Sequence, residues 1–247
     1  MASRNEILRT LNDWLAPDDF KDYCPNGLQV EGAEEVRTVI SGVTASRALV
    51  DAAIEADADM ILVHHGYFWK GEDQAIRGMK RDRIKRLLDH DINLVAYHLP
   101  LDDHPEYGNN RQLADVLGIL NPRPLGGLVW QGALGVPMGP QAFADLIGER
   151  LDRAPLWVGD GSAEIARVGW CTGAAQGFID SALNAGLDAY ISGEISEPTT
   201  HTARECGIHY YAAGHHATER YGVQALGRAV EQTFGVSHRF IDCDNPV

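Results

Sequence analysis

An internal duplication limits what this 247-residue chain can fold into more than any other feature. VISGVTASRALVDAAIEADADMILVHH (39–65) aligns without a gap onto VGWCTGAAQGFIDSALNAGLDAYISGE (168–194). The alignment sets Val39 over Val168, Asp51 over Asp180, Ala53 over Ala182, Ala56 over Ala185 and Asp59 over Asp188. Internal self-similarity marks a repeated structural unit. Each copy reads as a short apolar strand, a helix with small and apolar residues on one face, and a second strand. That order needs a crossover, hence parallel pairing, and makes the fold class α/β. We expect two similar strand–helix–strand repeats forming two facing lobes, 1–120 and 121–247, with the last helix and strand returning to the first lobe.

Between 121 and 140, four prolines and five glycines break the pattern. LVWQGAL (128–134) inside that stretch is compatible with a strand, and Pro140 stands where the amphipathic helix QAFADLIGERL would begin. At the start of the chain, Ser3 and Glu6 fit a capping box ahead of a stripe of Ile7, Leu8, Leu11, Trp14 and Leu15.

The polar residues fall where such a fold binds ligands, beyond the carboxyl ends of the strands. His64 and His65 end the second strand of copy one; Gly193 and Glu194 end that of copy two. NLVAYHLPLD (93–102) and YYAAGHHATE (210–219) then both run from an apolar strand into His-x-x-x-acid, pairing His98 with His215 and Asp102 with Glu219. Adjacent strand residues point to opposite sides, so His64 and His65 can share a centre only if the chain turns, as Gly66 permits. Pro100 keeps HLPLD out of a regular strand, and we expect a loop there. His215 and Glu219, four apart on a helix, share one face. Each cluster alone also reads as ordinary capping, turn or salt-bridge chemistry; together they converge. Imidazole with carboxylate and no thiolate suits Zn, Mn, Fe, Ni or Co rather than Ca. Three histidines and two carboxylates suit two divalent ions, about 3.5–4 Å apart.

Lys and Arg total 21 against 35 Asp and Glu, a formal net charge of −14. Such a surface repels phosphate backbones and anionic lipid, which argues against duplex nucleic acid and membrane as partners. No apolar run reaches the roughly 18–20 residues a membrane helix needs. The 4 cysteines are widely spaced without C-x-x-C, as expected of a reduced, cytoplasmic protein. No Walker-type or G-x-G-x-x-G phosphate loop is present.

NGLQVEG (26–32), LVHHGYFW (62–69), AYHLPLD (96–102), YISGEISE (190–197) and AGHHATERYG (213–222) resemble, in order and spacing, the motifs of a dinuclear-metal family. This is the family of GTP cyclohydrolase 1 type 2 homologues, also called Nif-three-like proteins, and the length resembles its short form. The resemblance implies that His64, His65, Asp102, His215 and Glu219 are the metal ligands, with His98, Glu194 and His216 lining the cleft beside them. It also implies a homo-oligomer, a closed ring of six chains with the metal sites facing an inner cavity.

What such a site supports is hydrolysis of a small nucleotide-like or phosphorylated substrate by a metal-bound hydroxide, with His98 and Glu194 as the catalytic proton carriers. No segment declares a guanine pocket. The alternative is a non-catalytic metal-binding scaffold or metallochaperone. The other motifs read plainly: NGLQVEG as a polar turn, KRDRIKR (80–86) as a solvated helix face, Cys171 as a buried strand residue. Leu128, Trp130 and Leu134 are expected either in the second lobe's core or at a subunit contact.

Overall fold

The computed structural model describes residues 1–159 and 163–247. In chain order the elements are β1 (Ala2–Ser3), α1 (Arg4–Leu15), β2 (Gly27–Val30), β3 (Glu35–Val36), β4 (Thr38–Thr44), α2 (Arg47–Glu55) and β5 (Met60–His65). There follow α3 (Gly78–Asp89), β6 (Asn93–Ala96), α4 (Leu99–Asp103), α5 (Asn109–Leu117), β7 (Leu120–Gly126), β8 (Val129–Met138) and α6 (Pro140–Leu151). The rest are β9 (Leu156–Val158), β10 (Ile165–Trp170), α7 (Ile179–Asn184), β11 (Ala189–Ser192), α8 (Glu197–Cys206), β12 (His209–Ala212), α9 (His215–Phe234) and β13 (Ser237–Phe240). The chain divides into two compact units: Met1–Gly108 with Gly222–Asp244, and Asn109–Tyr221 with Asn245–Val247.

Unit 1 holds a five-stranded sheet in the order β13-β4-β5-β6-β2, with β4, β5 and β6 parallel and β2 antiparallel to β6. Its strands are apolar on both faces, as parallel strands covered by helices must be. Ile40, Ile61 and Val63 pack under α2 and α3 through Leu49, Ala53, Ile84 and Leu87. Their alternates Val39, Met60 and Leu62 pack with Ile7, Leu11 and Leu15 of α1 and with Val223, Leu226 and Val230 of α9. Unit 2 repeats the plan in a six-stranded sheet, β7-β8-β10-β11-β12-β9, where β10, β11 and β12 are parallel and β9 is antiparallel to β12. The unit-1 run β4–α2–β5–α3–β6 thus has its counterpart in β10–α7–β11–α8–β12.

The duplication extends to register and to single side chains. Val39 lies opposite Met60 and Val168 opposite Ala189, so each strand pair is aligned as the sequence copies are. The Asp59 carboxylate accepts the backbone N–H groups of Arg37 (2.7 Å) and Thr38 (3.0 Å). Its counterpart Asp188 accepts those of Ala166 (3.0 Å) and Arg167 (2.7 Å). These carboxylates satisfy amides at the start of β4 and β10, just ahead of the first parallel pairs with β5 and β11.

Four sequence expectations need correction. Ser3 is the N-cap of α1 but makes no side-chain cap bond, because β1 pairs with β3 and Glu34 accepts the Arg4 N–H instead. HLPLD is not an irregular loop: Pro100, in the first turn where its missing N–H costs nothing, lets Leu99–Asp103 form a short helix. NGLQVEG turns only at Gly27 (φ +94°) and then runs as the edge strand β2. The pairing of the two His-x-x-x-acid segments also shifts. When the copies are matched by strand register, Leu99 is equivalent to His215, so His98 aligns with Gly214 and Asp102 with Thr218, one residue from the sequence pairing.

Trp130 and Leu134 are buried in the unit-2 core with Phe143, Ile147 and Trp170, and Leu128 packs on the other cluster of that unit. Trp130 and Leu134 thus belong to the core, while Leu128 is only half-buried. Pro140 does open α6, and among the described residues no helix is long and apolar enough to cross a membrane.

Candidate metal centre

Each unit gathers its share of the expected residues at the carboxyl ends of its parallel strands. In unit 1, His64 and His65 end β5, His98 follows β6, and Asp102 lies in the first turn of α4. His64, His65 and His98 offer ligand atoms within 4.8 Å of one another. The His64 ring stands 4.5 Å from that of His65 and 5.0 Å from that of His98. Both histidines lie in β5, and the turn that follows them is held by Gln29, whose Oε1 accepts the Tyr67 N–H at 2.6 Å and whose Nε2 donates to the Pro25 carbonyl at 2.8 Å. Only glycine fits at position 66, because a Cβ there would lie 2.1 Å from the Gln29 oxygen.

The hydrogen-bond partners decide which nitrogen of each ring faces the cluster. His64 Nδ1 is 3.0 Å from the Tyr97 carbonyl, an acceptor only, so Nδ1 carries a hydrogen and Nε2 is the nitrogen that faces the cluster. That Nε2 stands 3.4 Å from Asp102 Oδ1. A positive charge, a proton or a metal ion, suits this place between the ring nitrogen and the carboxylate. His65 Nδ1 is 3.2 Å from the Thr44 hydroxyl, and His98 Nδ1 is 2.7 Å from Asp22 Oδ1. Metal-ligating histidines are oriented in this way, their second nitrogen tied to a carbonyl, hydroxyl or carboxylate.

Unit 2 contributes Glu194, just beyond β11, with His215 and Glu219 on the first turns of α9. Glu194 Oε1 lies 2.7 Å from His215 Nδ1, and Glu219 Oε2 lies 3.2 Å from His215 Nε2. Burial alone would lower the His215 pKa, but hydrogen bonds and charge from Glu219 and Glu194 outweigh it and raise it to about 9. Without another cation, a proton therefore sits between the two carboxylates. Glu219 is only 2% exposed; a buried carboxylate is costly unless a positive charge and donors meet it. The backbone is cut to admit it. Gly173 (φ +69°) has room for no side chain, since its Cβ would fall 2.1 Å from Glu219 Oε1, and Thr218 Oγ1 accepts the Gly173 N–H at 3.1 Å. His216 is buried in the same first turn, its backbone N–H donating to the Val247 carbonyl.

The donor set of oriented imidazoles and buried carboxylates could hold a borderline divalent ion. Sequence reasoning missed Asp22 and Thr44. Neither lies in a motif, and Asp22 meets His98 across 76 positions of sequence, where no periodic pattern reaches.

Comparison with known proteins bears on the same residues. The profile of the family Duf34/NIF3 (NGG1p interacting factor 3) matches residues 2–246. A Pseudomonas aeruginosa protein named GTP cyclohydrolase 1 type 2 homolog is 59% identical over 245 residues, covering 97% of both chains. An Escherichia coli K12 protein of the same name is 53% identical, covering 98% of both. Among solved structures, the protein ybgI, described as of unknown function, superposes with a TM-score of 0.97 at 52% identity over all of both chains. A protein from Thermus thermophilus superposes with a TM-score of 0.92 at 34% identity, again over all of both chains.

Proposed function

The chain belongs to the Duf34/NIF3 family, and from that premise we propose that it is a dinuclear-metal-dependent hydrolase of small nucleotide-like or phosphorylated substrates. The observation that carries this reading is the tethering of the histidines. His64 Nδ1 is fixed by a carbonyl, and His98 and His215 Nδ1 by carboxylates, which leaves Nε2 as the working nitrogen in each ring. A fold needs no such arrangement; a metal and a proton carrier do.

In this reading His64, His65, Asp102, His215 and Glu219 hold two divalent ions drawn from Zn, Mn, Fe, Ni and Co. Bound ions of this kind acidify water and neutralise an anionic substrate group. Their positive charge would offset the −14 of the chain locally and draw an anionic substrate to the site. His98, tied to Asp22, and Glu194, tied to His215, move protons to and from the reacting group. The relatives' name refers to a cyclohydrolase, an activity that this donor set does not specify, since no segment declares a guanine pocket. We place the protein in the cytoplasm as a homohexamer, without duplex nucleic acid or membrane as partner.

Elemental analysis of the purified protein, followed by a screen of nucleotides and phosphoesters with and without chelator, tests the reading. Two ions per chain with chelator-sensitive turnover is the expected result. Tightly held metal without turnover of any ester or nucleotide would replace it with the scaffold or metallochaperone alternative.

A further inference from the structure

Asp22 lies outside every motif discussed above, yet its side chain is only 4% exposed and both its oxygens are engaged. Oδ1 accepts the His98 Nδ1–H at 2.7 Å and the Tyr23 backbone N–H at 2.6 Å. Oδ2 accepts the Asn26 side-chain amide at 2.9 Å and the Leu99 backbone N–H at 3.0 Å. Asn26 in turn accepts the backbone N–H of His98 at 2.8 Å. The loop 22–26 therefore holds His98 by its ring, by its own amide and by the amide that follows.

That hold stands the His98 ring 5.0 Å from that of His64 and 5.8 Å from that of His65.

We propose that Asp22 is a positioning residue for His98: it holds the imidazole with the hydrogen on Nδ1, so that Nε2 is presented beside the His64–His65 pair to carry a proton to or from the reacting group. This rests on the reading of His98 as a proton carrier given above. An ionised carboxylate only accepts, so the ring nitrogen facing it must carry a hydrogen. Asp22 is ionised: burial would raise its pKa, but the hydrogen bonds from His98 and Asn26 and the His98 charge outweigh it and hold it at about 2. The same imidazole–carboxylate logic sets the tautomer of the base in hydrolytic triads, where an amide in place of the acid reverses it.

A purely structural Asp22, one that only anchors the loop, makes a different demand. The Asn26 and Leu99 donors meet Oδ2, which an asparagine with its amide turned toward His98 keeps as its oxygen; only the Tyr23 N–H, which shares Oδ1 with His98, loses its acceptor. His98 needs an acceptor that can never donate, and an asparagine amide turned toward it fails that need. Asp22→Asn separates the two roles.

The test is two-bond ¹H–¹⁵N NMR of the full chain at neutral pH, with the His98 ring identified by its loss in His98→Gln. The wild-type ring is expected as the Nδ1–H form and the Asp22→Asn ring as the Nε2–H form, with the remaining spectrum unchanged. A hydrogen on Nε2 of the wild-type ring, or one tautomer common to both proteins, overturns the proposal. If Asp22→Asn does not fold, the wild-type ring alone decides. No substrate is involved, so loss of the hydrolase reading in the chelator screen leaves this result standing, and a wrong tautomer here leaves the metal analysis standing.

Discussion

Gly173→Ala offers a measurement in which the cost to the fold and the cost to the site come apart. Gly173 has φ +69°, where an L-residue with a Cβ is strained by about 1–2 kcal/mol. Gly207, the C-cap of α8, has φ +70° and nothing within 4 Å of its added Cβ. Gly207→Ala therefore carries the backbone strain alone, and each kcal/mol lowers the melting temperature of a chain of this size by about 2–4 °C. Gly173→Ala carries the same strain and meets Glu219 Oε1 at 2.1 Å, against an ordinary contact of 3.4 Å or more. The carboxylate oxygen is the movable end of a side chain, so it retreats by about 1.3 Å rather than unfolding the unit, whereas metal–ligand distances tolerate only about 0.2 Å. Both variants are expected to melt a few degrees below wild type, while only Gly173→Ala loses metal by elemental analysis. Full metal in Gly173→Ala, or equal loss in Gly207→Ala, would refute the placement of Glu219 as a ligand.

Further outcomes follow from the same geometry. Glu219→Ala and Asp102→Ala each remove an anionic donor and should deplete metal more than His98→Ala does; full metal content in Glu219→Ala excludes a bridging role. Asp59→Ala and Asp188→Ala each strip a carboxylate from two backbone amides and should cost about 1–3 kcal/mol in urea unfolding; near-zero cost in both would show that the duplicated contact is incidental. Light scattering at micromolar concentration should give a mass near six chains, and a mass of 27.0 kDa, that of one chain, defeats the hexamer.

The duplication was legible in sequence because it rests on side chains that strand geometry constrains. Apolar residues at alternate positions fix both faces of β4 and β5, and Asp59 and Asp188 recur because the same two amides need an acceptor in each unit. The residues of the candidate site were legible for a related reason, since they sit in short motifs at strand ends. What failed was local and competitive. Ser3 fits a capping box by residue type, yet its β1 pairing with β3 took precedence. Pro100 excludes a strand but not a helix's first turn, and composition alone does not choose between a helical turn and a loop. Asp22 gave no signal because its partner is remote in sequence and an acid in an acidic chain is unremarked.

The shift between the two His-x-x-x-acid segments has a physical cause in the strand ladder. In unit 2 the ladder continues past β12: the Ala213 N–H reaches Ser192 and the Gly214 N–H reaches Gly193. In unit 1 it stops one residue sooner, because the Tyr97 N–H reaches Val63 but the His98 N–H is diverted to Asn26. Gly214, at φ +101°, and Gly193, whose Cβ would lie 2.6 Å from the His215 Cα, let the start of α9 press against the strand end. No side chain then fits at the place where unit 1 carries His64, and the place of His65 is taken by Glu194, which tethers His215. Unit 1 thus offers two imidazoles from its strand end and one acid from a short helix. Unit 2, with its strand end closed off, offers both an imidazole and an acid from α9. The glycine that copy two has where copy one has His64 moves the candidate donors from strand to helix, and on this account Gly193→Ala should disturb His215 more than any substitution at the equivalent His64 disturbs His98.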